Sequence, residues 1–226
     1  ITQSQINGNT TIQGVIFDLD GVLLDSEWMA FKAWCELAGR YGGKLEETAF
    51  SEMVGTTAEQ TAEIVMRRTG ITVNISESVT WAWRHVNEQI RLTADPLPGA
   101  IELIQYLATL NLPLAIASNS PTVYINDALS GLNLSAYFPV RVGIDQVAEG
   151  KPAPDVYLRA AGQIGVIPKR CLVIEDSRVG VQAAAAANMR VLAVPGERDH
   201  TNGFHQAWRI YPSLLKVRED LPQILA

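Results

Sequence analysis

The chain has 226 residues, with 18 basic against 24 acidic side chains and a net charge of −6. That length can bury a large core and can hold a main domain with a smaller insert. The acidic balance argues against a nucleic-acid partner, whose phosphate backbone is met by clustered lysine and arginine, so any anionic ligand has to be received by a local site.

Cys35 and Cys171 lie far apart with no CxxC spacing, so neither a disulfide framework nor a structural zinc site is expected, and a reducing, cytoplasmic setting is. No apolar stretch approaches the roughly 20 residues that span a bilayer, so no membrane association is expected. The polar opening ITQSQINGNTT does not read as a signal peptide. A monomer is the expected state, since no surplus interface stands out.

The first apolar run, GVIFD at 14–18, ends in two acids one residue apart, Asp18 and Asp20, with Gly21 next and a third acid at Asp25. Like charges on a buried strand end call for a cation or a retained proton. From 27 to 94 the pattern changes. It has no convincing strand, reads as helices around 27–41, 57–69 and 76–92, and holds Trp28, Trp34, Trp81 and Trp83, expected to pack that unit. Asp95-Pro96-Leu97-Pro98-Gly99 then breaks the helical pattern and forms a hinge. The predicted division is therefore a core from 1–26 and 95–226 and a helical cap from 27–94.

Downstream, residues 99–110 predict a helix with Ile101, Ile104, Leu107 and Ala108 on one stripe. PLAIAS at 113–118, CLVIED at 171–176 and RVLAV at 190–194 are further apolar runs, and a serine-capped helix over 177–188 separates the last two. Continuous apolarity without alternation fits strands covered on both faces, so the fold class is α/β, a doubly wound parallel sheet with an inserted helical cap. The segment from 199 onward predicts a loop and a terminal helix without chemistry.

In such sheets ligands sit at the carboxyl ends of the strands. Those ends carry Asp18 with Asp20, Ser118 with Asn119, and Glu175 with Asp176. A Mg²⁺ ion there would keep Asp18 ionised and oriented, ready to attack phosphorus. Asp20 points elsewhere and can carry a proton, while its backbone carbonyl reaches the metal. Glu175 and Asp176 complete a hard, oxygen-rich site. His85, His200 and His205 fall outside the strand ends and read as solvated or capping residues. Lys151, ahead of Pro152 and Pro154, can neutralise a phosphoryl group and the nucleophile together. Ser118, Asn119 and the N–H groups of Leu19 and Asp20 offer donors to the same space.

The ordered set D-x-D-G-V-x-x-D-S, a Ser-Asn strand end, a Lys-Pro loop and a Glu-Asp strand end resembles the haloacid dehalogenase superfamily, in its β-phosphoglucomutase and sugar-phosphate phosphatase branch. The resemblance implies that Asp18 is a nucleophile forming an aspartyl-phosphate and that Asp20 is the acid and then the base. It implies that Ser118 and Lys151 hold the phosphoryl group, with Asn119 helping to orient it. Asp18, the Asp20 carbonyl and Asp176, with Glu175 close by, would bind Mg²⁺. The implied reaction is hydrolysis of a small-molecule phosphate ester. Mutases of this group carry a cap histidine where this chain has Ala30 and a cap arginine where it has Thr56 and Thr57, which favours a phosphatase over the alternative, a phosphosugar mutase. Dehalogenases lack the second aspartate, and the cap lysines Lys32 and Lys44 carry no mark of an imine-forming role. A non-catalytic binding protein of this fold would be expected to have lost Asp18, Asp20 or Lys151, and all three are present.

Overall fold

The structure is a computed structural model that describes residues 11–54, 56–196 and 203–225. Its central strand, β1 (Gly14–Phe17), is buried along its whole length. Val15 and Phe17 join one hydrophobic cluster and Ile16 the other, which is why the run is apolar without alternation. β1 pairs in parallel with β2 (Leu114–Ala117), Ile16 opposite Ala115, and with β4 (Cys171–Glu175), Ile16 opposite Val173. β3 (Val140–Val142) lies outside β2, while β5 (Arg190–Ala193) and β6 (Arg209–Ile210) continue beyond β4. The order is β3-β2-β1-β4-β5-β6, all parallel. The four apolar runs are the four inner strands. The two outermost strands were not anticipated, because β3 has three residues, β6 has two, and most of their side chains reach solvent.

Between β1 and β2 the chain forms α1 (Ser26–Arg40), a turn of 3₁₀ helix at Glu47–Ala49, α2 (Phe50–Met53), α3 (Ala58–Thr69) and α4 (Ile75–Thr93). Local chemistry starts each long helix. Asp25 accepts from the Trp28 N–H at 3.0 Å, Thr57 and Gln60 form a capping box, and Asn74 accepts from the Glu77 N–H at 3.0 Å. Phe31, Trp34, Leu37, Phe50, Met53 and Val65 belong to a third hydrophobic cluster, with Trp28 and Trp81 against it. Trp28 stacks on Phe31 and meets Phe50 edge-on. Trp83 departs from the expectation: it is 61% exposed and packs no core. The two passages between these helices and the sheet run side by side. Leu24 bridges Pro96 in antiparallel fashion, and the Leu97 N–H donates to the Leu23 carbonyl at 3.0 Å.

Helices supply the crossovers that parallel neighbours need. Side chains of α5 (Ala100–Thr109), α6 (Thr122–Gly131) and α9 (Leu214–Leu225) cluster with Val15, Phe17 and Ile116 on one face, and Ile90 of α4 joins them. Those of α7 (Asp155–Gln163) and α8 (Arg178–Ala186) cluster with Ile16, Ala115 and Val173 on the other. The buried stripe of α5 is Ala100, Leu103, Ile104 and Leu107, rotated from the expected one, so that Ile101 and Ala108 sit at its edge. α5 also packs against α9, and that second neighbour moves the centre of burial. The tail is more than a loop and helix, since it adds β6. Trp208 beside it lies under the guanidinium groups of Arg190 and Arg209, each 4.8 Å from the ring centre. Residues 199–202, with His200, and residues 1–10 of the polar opening lie outside the described residues. No helix among the described residues is long and apolar enough to cross a membrane.

Candidate active site

β1 ends where the Asp18 N–H donates to the Ile174 carbonyl of β4 at 3.0 Å, so Asp18 leaves the sheet beside the end of that strand. Its side chain is buried and accepts from Nζ of Lys151, which lies on the loop before α7. The same ammonium donates to Oε1 of Glu175 at 2.8 Å, and the Tyr157 hydroxyl donates to that oxygen at 3.0 Å. Oε2 of Glu175 accepts from the Ser177 N–H and hydroxyl at 2.7 and 2.9 Å. Glu175, fully buried, therefore has both oxygens engaged and fixes the ammonium against Asp18. Gly180, in the first turn of α8, makes room for it, since a Cβ there would fall on the Glu175 carboxylate.

Asp176 follows at the same strand end. Gly21, at φ +77°, lies against it so closely that a Cβ would overlap its carboxylate, and this φ also favours glycine. Asp18, Glu175 and Asp176 offer oxygens that all lie within 4.8 Å of one another. One ammonium faces three carboxylates. Burial pushes the Asp18 carboxyl up to about 7; Lys151 opposes this, while Glu175 and Asp20 add to it. Burial, then Glu175 and Asp18, push Asp176 up to about 9. Burial disfavours the Lys151 ammonium, but Asp18 and Glu175 outweigh that and hold its pKa well above the ordinary lysine range.

Both aspartates bind a proton more tightly folded than unfolded, so folding of the metal-free chain takes up protons between the ordinary carboxyl value of 3.8 and about 9. Stability then falls as pH rises through that window, by on the order of a few kcal/mol. Thermal melts of chelator-treated protein at pH 5.5 and pH 8.5 are expected to show the higher midpoint at pH 5.5, with the gap narrowed in Asp176→Asn. An undiminished gap in that variant would rule out Asp176 as a cause.

Asp20 turns away from this cluster. Ser120 Oγ donates to its Oδ2 at 2.9 Å and the Tyr124 hydroxyl to its Oδ1 at 2.7 Å. The turn that follows it is closed by the Gly21 N–H donating to the Leu24 carbonyl at 2.7 Å and the Leu23 N–H to the Leu19 carbonyl at 2.8 Å. Neither the Leu19 nor the Asp20 N–H takes part in these bonds. Ser118, buried at the end of β2, accepts from the Ser120 N–H at 3.0 Å, which leaves its own proton to donate. Asn119 grips the loop ahead of α7: its Oδ1 accepts from the Lys151 N–H at 2.8 Å and its Nδ2 donates to the Lys151 carbonyl at 3.3 Å. Asn119, expected to help orient the phosphate, thus has its amide on the backbone of Lys151, the lysine expected to hold the phosphoryl group.

All seven residues expected at the site thus meet at the ends of β1, β2 and β4 or on the loop before α7. Tyr157, Ser177, Ser120 and Tyr124 belong to the same network and were missed. Ser120 stands directly after the Ser-Asn pair, and Ser177 was read only as a helix cap, which it also is, accepting from the Gly180 N–H at 3.1 Å. Tyr157 and Tyr124 reach the site from helices, and nothing in their local sequence marks them. Asp25 is a helix cap. His85 pairs with Glu36 at 2.9 Å and stacks on Trp81, and His205 is exposed. A cavity of about 460 Å³ between α1 and α4, lined by Asp25, Trp28, Lys32, His85 and Asp95 among others, contains none of the seven.

A parallel sheet flanked by helices, with a helical insert after its first strand and an acid-lysine cluster at its carboxyl edge, is the architecture of an α/β enzyme of the doubly wound class, which receives its ligand at the strand ends. The chain belongs to the haloacid dehalogenase-like hydrolases, whose family model matches residues 15–194. It is similar to the Phosphorylated carbohydrates phosphatase of Thermotoga maritima, 32% identical over 79% of this chain and 82% of that protein. It is also 32% identical to (DL)-glycerol-3-phosphatase 2 of Arabidopsis thaliana, over 94% of this chain and 92% of the relative. Among solved structures, a candidate β-phosphoglucomutase from Thermotoga maritima superposes with a TM-score of 0.84 at 27% identity, covering 95% of this chain and all of the other.

Proposed function

We propose that the protein is a Mg²⁺-dependent phosphatase of small phosphorylated metabolites, sugar phosphates foremost, working through an aspartyl-phosphate on Asp18. The observation that carries this reading is the pairing of Asp18 with the buried Lys151 while Asp20 sits on different partners. Two carboxylates two residues apart thereby have separate environments, one suited to nucleophilic attack and the other to proton transfer. The phosphatase relatives support the substrate class.

The site suits a divalent cation. Three carboxylates whose oxygens lie within 4.8 Å of one another face a single ammonium, and the donors are all oxygen. Asp18, Asp176 and the Asp20 carbonyl would hold the ion, with Glu175 in place chiefly to orient Lys151. When bound, Mg²⁺ supplies positive charge to the carboxylates and the phosphoryl oxygens.

In the first half-reaction an Asp18 oxygen attacks phosphorus as the ester oxygen departs, and Asp20 gives that oxygen a proton. In the second, Asp20 takes a proton from water, the water oxygen attacks the phosphorus on Asp18, and phosphate leaves. Ser118 and Lys151 neutralise the transferring oxygens throughout. We assign residues 27–94 as a cap that closes over the leaving group and excludes bulk water. Against a mutase, Ala30 offers no imidazole, and the Thr56 hydroxyl bonds at 2.7 Å to Met53 O and 2.8 Å to Thr61 Oγ1 rather than presenting a cation.

Phosphate release from a panel of sugar and polyol phosphates is expected with Mg²⁺, and less than about 1% of it after chelation, with recovery on adding Mg²⁺ back. Release unaffected by chelation would sink the metal assignment, and β-glucose 1-phosphate converted to glucose 6-phosphate without net phosphate release would favour a mutase.

A further inference from the structure

The phenol of Tyr124 has no part in the reaction as written, yet it is placed on one of the reaction's two carboxylates. It stands in the first turn of α6, and its hydroxyl donates to Asp20 Oδ1 at 2.7 Å. Burial and the neighbouring Asp20 hold the phenol far above its ordinary pKa, so it keeps the proton it donates. The ring packs on the main hydrophobic cluster, which fixes its direction. Ser120 Oγ holds the second oxygen of Asp20 at 2.9 Å. Two donors from one short segment therefore set the plane of this carboxylate, and each oxygen keeps a second lone pair for a leaving group or a water.

We propose that Tyr124 is a positioning residue for Asp20, aiming the carboxylate at the leaving-group oxygen through the bond to Oδ1. The inference rests on the reading of Asp20 as the acid that protonates that oxygen. A loosened Asp20 would matter only for leaving groups that need a proton. An alkoxide does; 4-nitrophenolate, stable as an anion, does not. Because kcat/KM covers the steps up to the first irreversible one, it isolates this demand from the later attack by water.

The test compares wild type, Tyr124→Phe and Asp20→Asn on glycerol 3-phosphate and 4-nitrophenyl phosphate with Mg²⁺ present. Tyr124→Phe keeps the ring and is expected to lower kcat/KM for the alkyl ester at least about tenfold, and for the aryl ester less than about threefold. Asp20→Asn should show the same split, larger. If Asp20→Asn splits the two esters and Tyr124→Phe lowers both equally or neither, the positioning role is wrong while the acid assignment stands. If Asp20→Asn shows no split, or wild type hydrolyses neither ester, the underlying reading fails and the inference goes with it.

Discussion

Replacing Asp18 with Asn is expected to abolish phosphate release from any ester the wild type hydrolyses, with kcat falling at least about 10⁴-fold, because an amide oxygen is a poor nucleophile and nothing else in the cluster can take its place. Glu175 cannot substitute, since both of its oxygens are engaged by Lys151, Tyr157 and Ser177. Asp20 is held by Ser120 and Tyr124. The fold should survive. Asn is close in size to Asp, and removing one of three crowded carboxylates relieves repulsion that the metal-free chain otherwise answers with protons, so the melting temperature is expected to stay level or rise. Colorimetric phosphate release and far-ultraviolet circular dichroism measure the two effects. Near-wild-type turnover in a folded Asp18→Asn protein would remove Asp18 from the mechanism.

The second large effect belongs to Lys151→Met. The ammonium is buried against Asp18 and Glu175 and lies 4.8 Å from the centre of the Tyr157 ring. Methionine fills much of the same volume and leaves two buried carboxylates without their cation. Removing one partner from a buried ion pair costs about 3–5 kcal/mol. In a chain of this size that lowers the melting midpoint by about 10 °C. Activity should fall about 10²- to 10³-fold or more, since the transferring phosphoryl group loses its fixed positive charge. Lys151→Arg is not expected to restore either property, because a planar guanidinium cannot occupy the tetrahedral point where Asp18 and Glu175 converge. Activity loss without a stability change would show that the buried pair contributes to chemistry alone. Metal titration during the melts separates the two further, because a divalent ion should recover part of the stability and little of the turnover.

These expectations grew out of an unequal division between what residue order reveals and what folding adds. The inner strands were readable because burial on two faces demands unbroken apolarity, and GVIF, LAIA and CLVIE have it. The helix start at Ser177 was readable because its hydroxyl caps within three residues of itself, accepting from the Gly180 N–H. β3 and β6 were not, because short edge strands gain their stability from a neighbour's backbone and not from a pattern of their own. Trp83 looked like core and is surface, since a helix interior of mixed composition does not say which stripe faces inward.

The site divides in the same way. Residue order alone determined that the candidate site side chains end apolar strands: Asp18 after β1, Ser118 after β2, and Glu175 with Asp176 at β4, in a parallel sheet where those ends share an edge. Only the tertiary structure decided which group touches which. It set Asn119 to gripping Lys151, closed both oxygens of Glu175, and brought Tyr124 and Tyr157 in from helices whose positions relative to Asp20 and Glu175 span 104 and 18 residues. Strand ends follow from local apolarity, a property of neighbours along the chain. Hydrogen-bond partners follow from crossovers that set distant helices against the sheet, and no local pattern encodes them.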